Sequence, residues 1–242
     1  MYQTKIIDYK YKKKIVTYNF PIHTGGCNKG TRKNYKEMTE EERKVSDSRR
    51  IRYYNKVLAE LTEIAMMNPF KVMLTLTFKE DIQMYKEAIE RWKKFVRRLK
   101  WKYGEIVYFC VWERTKKNRI HFHVLIDLDI ESEEVMRLWR YGYICVSPIR
   151  KGEKIKCIRY MTKYMCKSVK EKNQQGKCIR GERFFFCSKN LNKPEIQKIE
   201  ERLSIPNVIF ENMENVIEDG IYEMKDCNGK VINKAEFVEY KV

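Results

Sequence analysis

The chain has 242 residues, enough for one substantial domain with a small appendage. Hydrophobic residues make up 43% and aromatics 13%, which excludes a mainly disordered chain. Lysine and arginine exceed aspartate and glutamate by 18, for a pI near 9.5, so the expected partner is a polyanion, nucleic acid foremost. A solvated basic surface with no partner would give the same excess. The excess is uneven, because residues 206–242 carry eight acidic and four basic side chains. No apolar run approaches the ~20 residues of a membrane-spanning helix. The first residues, MYQTKIIDYKYKKK, show no apolar secretory segment, so a cytoplasmic protein without membrane contact is expected.

The eight cysteines are scattered without a C-x-x-C pair, and they read as reduced thiols rather than a disulfide or zinc framework. His23-Thr-Gly-Gly-Cys27 has the residue types of half a metal site, but no second half is visible, and it reads as a loop.

Residues 1–45 are polar and basic and read as an arm or as short β-elements. Ser46 or Asp47 is the expected cap of a helix that runs to about Met67 and ends at Asn68-Pro69. Phe70–Phe78 alternates Leu74, Leu76 and Phe78 against Thr75 and Thr77, the pattern of a half-buried strand. Tyr85, Ile89, Trp92, Val96, Leu99 and Tyr103 then recur at helical steps, closed by Gly104, with Lys93, Lys94, Arg97 and Arg98 off that stripe as a basic face for DNA. Glu105–Glu113 and Arg119–Leu128 read as two strands of an antiparallel hairpin joined through Lys116, Lys117 and Asn118. A helix at 131–140, a strand near Tyr143–Ser147, a helix at about 154–170, a strand at Arg183–Ser188 and a helix after Pro194 follow. Asn228-Gly229 between apolar stretches signals a final hairpin. The interleaving predicts an α+β fold with a central antiparallel sheet.

The chemistry concentrates in two places. Side chains alternate along a strand, so His121 and His123, two of only three histidines, share one face. A turn centred near Lys117 sets Glu113 opposite His121 on that face. Two imidazoles and a carboxylate suit a divalent metal, Mg²⁺ or Mn²⁺, though zinc would also bind, and they leave positions open for a phosphate oxygen. Downstream, Tyr160-Met-Thr-Lys163-Tyr164-Met-Cys-Lys167 doubles a Tyr-x-x-Lys unit. On a helix both tyrosines and both lysines fall within an arc of roughly 100°, with Ile158, Met161 and Met165 on a separate apolar side. A phenol with a pKa near 10 needs its oxyanion favoured before it attacks phosphorus, and neighbouring lysines can do that. Lys116, Lys117, Arg119 and Arg159 are further candidates for contact with DNA phosphates.

A strand like Met73-Leu-Thr-Leu-Thr-Phe78, a His-hydrophobe-His strand and Tyr-x-x-Lys on a helix, in that order, resemble the HUH endonuclease superfamily and its rolling-circle replication initiators. The doubled tyrosine unit looks like the replication proteins of small single-stranded DNA phages, the microvirus gene A family and its replication-associated relatives. Leu138-Trp-Arg-Tyr-Gly-Tyr143 and Phe185-Phe-Cys-Ser-Lys-Asn-Leu-Asn-Lys-Pro194 also fit that group, so the resemblance covers about residues 70–195. It implies a five-stranded antiparallel sheet flanked by helices, with His121, His123 and Glu113 as metal ligands on central strands. Tyr160 or Tyr164 would attack the scissile phosphate of a single-stranded origin, of which a stem-loop is one form, giving a 5′-phosphotyrosyl link and a free 3′-OH.

No G-x-x-x-x-G-K-[ST] occurs, so a helicase, like the polymerase, is expected to come from the host, in whose cytoplasm a viral protein of this kind would work. The expected organisation is an arm at 1–45, a nicking domain at 46–205 and an acidic segment with a hairpin at 206–242. A relaxase, a single-tyrosine transposase and a non-catalytic DNA-binding regulator on the same fold are the alternatives.

Overall fold

The computed structural model describes residues 1–23, 33–115, 117–150, 152–161, 183, 185–225 and 229–242, with backbone alone for 36, 50–52 and 54–58. They divide into two compact units, one of Tyr53–Asn192 and one of Met1–Arg52 with Lys193–Val242. The first strands are β1 (Tyr2–Asp8) and β2 (Lys12–Ile22), followed by helix α1 (Glu40–Met67). The chain passes from one unit to the other within α1.

The larger unit continues with β3 (Val72–Thr77), α2 (Tyr85–Tyr103), β4 (Tyr108–Arg114), β5 (Ile120–Ile126), α3 (Ser132–Trp139) and β6 (Ile144–Pro148). Helix α4 (154–161 of the described residues) and β7 (Phe185–Cys187) complete it. Its five strands form an antiparallel sheet in the order β6-β3-β5-β4-β7, which puts the histidine strand at the centre. An α+β fold with such a sheet flanked by helices is what the sequence predicts.

Strand alternation assigns the layers. Leu74 and Leu76 of β3, Cys110 and Trp112 of β4, and Phe122, Val124 and Ile126 of β5 face α2 and α3. From α2 come Ala88, Ile89, Trp92, Phe95, Val96 and Leu99, and from α3 Val135, Leu138 and Trp139. The Trp92 ring stacks on Phe122 with centroids 5.4 Å apart, and Phe95 meets Trp139 edge-on at 5.5 Å. On the other face, Phe109, Val111 and Leu125 pack with Leu61 and Ala65 of α1 and with Ile158 and Met161 of α4. Helix α2 ends as expected: Gly104 takes φ 74° and donates its N–H to the Lys100 carbonyl.

Gly142, within the Leu138–Tyr143 segment, sits where no side chain fits. A Cβ there would lie 2.3 Å from the Lys79 nitrogen and 2.3 Å from the Thr77 oxygen, both backbone atoms. That close approach lets Thr77 and Lys79 donate to the Tyr143 and Tyr141 carbonyls, 2.9 Å each, which fastens the chain after α3 to the end of β3.

In the other unit, β1 and β2 join β8 (Glu195–Ile199), β9 (Val216–Lys225) and β10 (Val231–Lys241) in an antiparallel sheet of order β8-β1-β2-β10-β9. Helix α5 (Ile205–Glu211) covers one face through Ile205, packed with Ile15 and Val238. Residues 1–45 and 206–242, set apart by composition as an arm and a tail, thus contribute strands to one sheet. The expected final hairpin is present as β9 and β10, although its connection spans residues 226–230 and is longer than a two-residue turn.

Two expectations change. The helix expected after Pro194 is strand β8, because five residues paired with β1 outweigh the modest helix preference of Glu-Ile-Gln-Lys. Helix α1 begins at Glu40 rather than after Ser46 or Asp47. The Thr39 hydroxyl accepts the Glu42 N–H at 3.3 Å while the Glu42 carboxylate accepts the Thr39 N–H at 2.9 Å, a reciprocal capping box. Among the described residues no helix is long and apolar enough to cross a membrane.

Substituting Gly142→Ala should lower stability by about 1–3 kcal/mol, because two backbone segments must part to admit one methyl group. Urea unfolding checks this, and an unchanged midpoint would show that the close approach at Gly142 is not needed.

Candidate active site

The hairpin of β4 and β5 turns through Thr115–Arg119, with Asn118 at φ 62° and its N–H donated to the Thr115 carbonyl at 2.9 Å. This turn fixes the register: Glu113 pairs with His121 and Val111 with His123. On the other side of β5, Thr77 pairs with His121 and Thr75 with His123. Since Phe122 and Val124 enter the α2 layer, His121 and His123 project from the opposite face, beside Glu113, Thr75 and Thr77.

His123 is buried and held on both ring nitrogens. Its Nε2 lies 3.1 Å from the Glu113 Oε1 and its Nδ1 3.3 Å from the Thr75 hydroxyl. Two tautomers satisfy this arrangement. Either Nε2–H donates to the carboxylate while the threonine donates to Nδ1, or Nδ1–H donates to the threonine and Nε2 keeps its lone pair. His121 is half-buried, and its pKa is lowered chiefly by that burial. Glu113 opposes the shift, while His123 and Arg119 add to it. The neutral imidazole, the form with a lone pair to give, is therefore favoured further into mildly acidic conditions than in an exposed histidine.

Helix α4 brings one candidate nucleophile to this face. Ile158 and Met161 are buried against the sheet as the helical spacing predicts, and Tyr160 is 44% exposed. The Tyr160 ring meets the His123 ring edge-on, perpendicular and with centroids 5.9 Å apart. The start of α4 is anchored by Lys154, whose ammonium donates to the Met66 carbonyl at 2.9 Å and to the Asn68 carbonyl. Burial lowers the Lys154 pKa. Asn68 is itself buried and bonded to Ile64 and to both backbone groups of Asn192, so the end of α1 is a fixed support. Lys163, Tyr164 and Lys167 lie outside the described residues, as does Lys116.

The remaining basic residues divide by environment. Arg98 donates to the Leu138 carbonyl at 2.9 Å and to the Tyr141 hydroxyl at 3.2 Å, so its guanidinium is committed to the end of α3. Lys93 pairs with Glu90 at 2.6 Å and Arg119 with Asp81 at 2.9 Å. Lys94, Arg97, Lys117 and Arg159 are exposed.

Two imidazoles and a carboxylate on one face are a donor set that a divalent cation accepts. Glu113 and His123 have turned toward each other, and among the described residues no three His, Cys, Asp or Glu side chains are gathered closely enough to hold a metal ion. The donors fit a cation in kind and in face; holding one requires Glu113 to give up part of its bond to His123. Sequence reasoning missed Thr75 and Lys154. The alternation of β3 places Thr75 on the histidine face, whereas nothing in the sequence distinguishes Lys154 from its neighbours.

Residues 71–169 match the family model described as replication-associated protein ORF2. Over this stretch the chain is similar to replication-associated proteins. The match runs from β3 through α4 and so contains His121, His123, Glu113, Tyr160 and Tyr164. It supports a replication protein of the initiator, Rep-like kind, with DNA as its partner. No curated protein and no solved structure matches the chain.

Replacing Lys154 by Ala should lower stability by about 1–3 kcal/mol, since the carbonyls that close α1 lose a charged donor. Unfolding in urea measures the loss. A variant as stable as the parent would show that α4 is held by its apolar side alone.

Proposed function

We propose that the protein initiates rolling-circle replication by nicking and rejoining single-stranded DNA at an origin, through a tyrosine and with a divalent metal. The observation that carries this reading is the meeting of Tyr160 with His123 on the face that also holds Glu113 and His121. The similarity of residues 71–169 to replication-associated proteins supports the same reading, as does the excess of 18 positive charges.

In this mechanism a tyrosine oxygen, from Tyr160 or Tyr164, attacks the scissile phosphorus as the bond to the 3′ oxygen breaks. The products are a 5′-phosphotyrosyl link and a free 3′-OH; the proton lost by the phenol is balanced by the one the 3′ oxygen gains. His121, His123 and Glu113 would hold Mg²⁺ or Mn²⁺, which when bound supplies Lewis acidity toward a phosphate oxygen. Thr75 sets the ring of His123 by taking its Nδ1 side, leaving Nε2 for ligation. Lys163 and Lys167 would favour the phenolate and offset charge on the phosphoryl group. Two tyrosines one helical turn apart allow one to cut while the other holds the strand already cut, so the same site serves both nicking and rejoining. No helicase motif is present, and strand separation would depend on a host helicase.

The test is incubation with a single-stranded oligonucleotide from the origin of its own replicon and Mn²⁺, followed by a denaturing gel. The wild type should form a covalent adduct, Tyr160→Phe should leave part of it, and the double change Tyr160→Phe with Tyr164→Phe should abolish it. Full adduct in the double variant would assign the nucleophile elsewhere. His121→Ala should eliminate cleavage while largely sparing oligonucleotide binding, which rests on phosphate contacts and weakens with salt. In calorimetric titration with Mn²⁺, Thr75→Val should weaken binding about tenfold. Unchanged affinity would remove Thr75 from its supporting role.

A further inference from the structure

The sheet face opposite the histidines carries an unexplained aromatic. Trp101, in the last turns of α2, is 87% exposed, whereas Trp92, Trp112 and Trp139 are all buried. An indole left in water on a helix with a well-filled core stripe adds nothing to folding. Lys94 and Arg97 precede it by seven and four residues and so share its side of the helix. Together with Arg98 they line a shallow groove of ≈ 340 Å³.

The charge around this groove is mostly of one sign. Among the described residues, Glu90 is the acid whose carboxyl is lowered by this helix face, first by its hydrogen bond to Lys93 and more weakly by Arg97 and Lys94. Glu134 on the neighbouring α3 is engaged by Lys102 at 2.5 Å and by Arg137 at 2.9 Å. Arg98 ties α2 to the end of α3, and Arg137 and Arg140 there extend the basic surface.

We infer that Trp101, Lys94 and Arg97 form a second binding surface for single-stranded DNA, on which a base stacks against the indole while the cations meet the flanking phosphates. A flat π-face beside exposed cations is the combination that holds single strands without reading sequence. A protein partner would place acidic side chains on the cations, but the exposed aromatic is then a single ring with no apolar surround in the groove. The surface lies on the α2 side of the sheet, and Tyr160 and His123 lie on the α4 side. It therefore holds DNA outside the reacting segment, as an initiator needs when the strand it displaces must be kept from re-pairing. The inference shares its partner with the proposed function and is independent of the chemistry at Tyr160.

The experiment uses the full chain and fluorescein-labelled oligo(dT) of thirty nucleotides, which contains no origin. Anisotropy should show Trp101→Ala binding about fivefold or more weakly than wild type, Trp101→Phe close to wild type, and Lys94→Glu with Arg97→Glu weakest with a shallower salt dependence. Because the other tryptophans are buried, the red edge of the emission reports Trp101, and oligo(dT) should quench it in the wild type. Adduct formation on a short origin oligonucleotide should be unchanged in Trp101→Ala. Equal oligo(dT) affinity for wild type and Trp101→Ala, or no quenching on saturation, would overturn the inference while leaving the nicking reading standing. Loss of adduct in wild type would sink the nicking reading and leave this one intact.

Discussion

The register of β5 between β3 and β4 is the constraint on which the site depends. A strand repeats every two residues, so a slip of one position would send both imidazoles into the α2 layer and turn Phe122 outward. That slip is opposed from one side by Phe122, Val124 and Ile126, all fully buried against Trp92, Phe95 and their neighbours. It is opposed at the end of the hairpin by Asn118, whose left-handed backbone closes the turn. The apolar core of one face therefore determines which polar groups meet on the other. His121 and His123 gain their common direction from residues that take no part in their chemistry.

Once the register is set, the second face divides along the length of its strands. Phe109, Val111 and Leu125 are covered by the end of α1 and by α4, which leaves His123, Glu113 and Thr75 at the margin of that apolar layer. Tyr160 stands at the same margin, because it follows Ile158 and precedes Met161 on a helix whose buried side is already fixed. Packing thus supplies the orientation of the candidate nucleophile, and Lys154 closes the other end of the arrangement by binding the carbonyls at the end of α1. The burial that steadies the site also biases His121 toward its neutral form, so structure and ligand chemistry act in the same direction.

Much of this is legible in the sequence. Alternation around Leu74 and Leu76, the stripe from Ile89 to Leu99 and the spacing of Glu113 and His121 about a polar turn each have a periodic cause, and each survives in the structure. Periodicity also predicts the buried Ile158 and Met161 beside an exposed Tyr160. What escapes has no period. Strand β8 consists of residues that favour helices and is a strand only because β1 lies beside it. The turn between β1 and β2 relies on Lys10 at φ 67° with its N–H on the Asp8 carboxylate, where glycine or asparagine would have announced it. The capping box at Thr39 and Glu42 has a readable Thr-x-x-Glu spacing, but the polar composition around it is that of an arm. Alternation puts Thr75 on the correct face without naming its partner, since a hydrogen bond across strands requires knowing which strand is the neighbour.

If a tyrosine of α4 reacts on the face made by His121, His123 and Glu113, the DNA adduct formed in Mn²⁺ carries its site of attachment with it. The most direct measurement is proteolysis of that adduct, with the nucleotide-bearing peptide sequenced by mass spectrometry. A phosphodiester should be found on Tyr160 or Tyr164 and on no other residue. A nucleotide attached to a serine, a lysine or a tyrosine outside that helix would contradict the assignment.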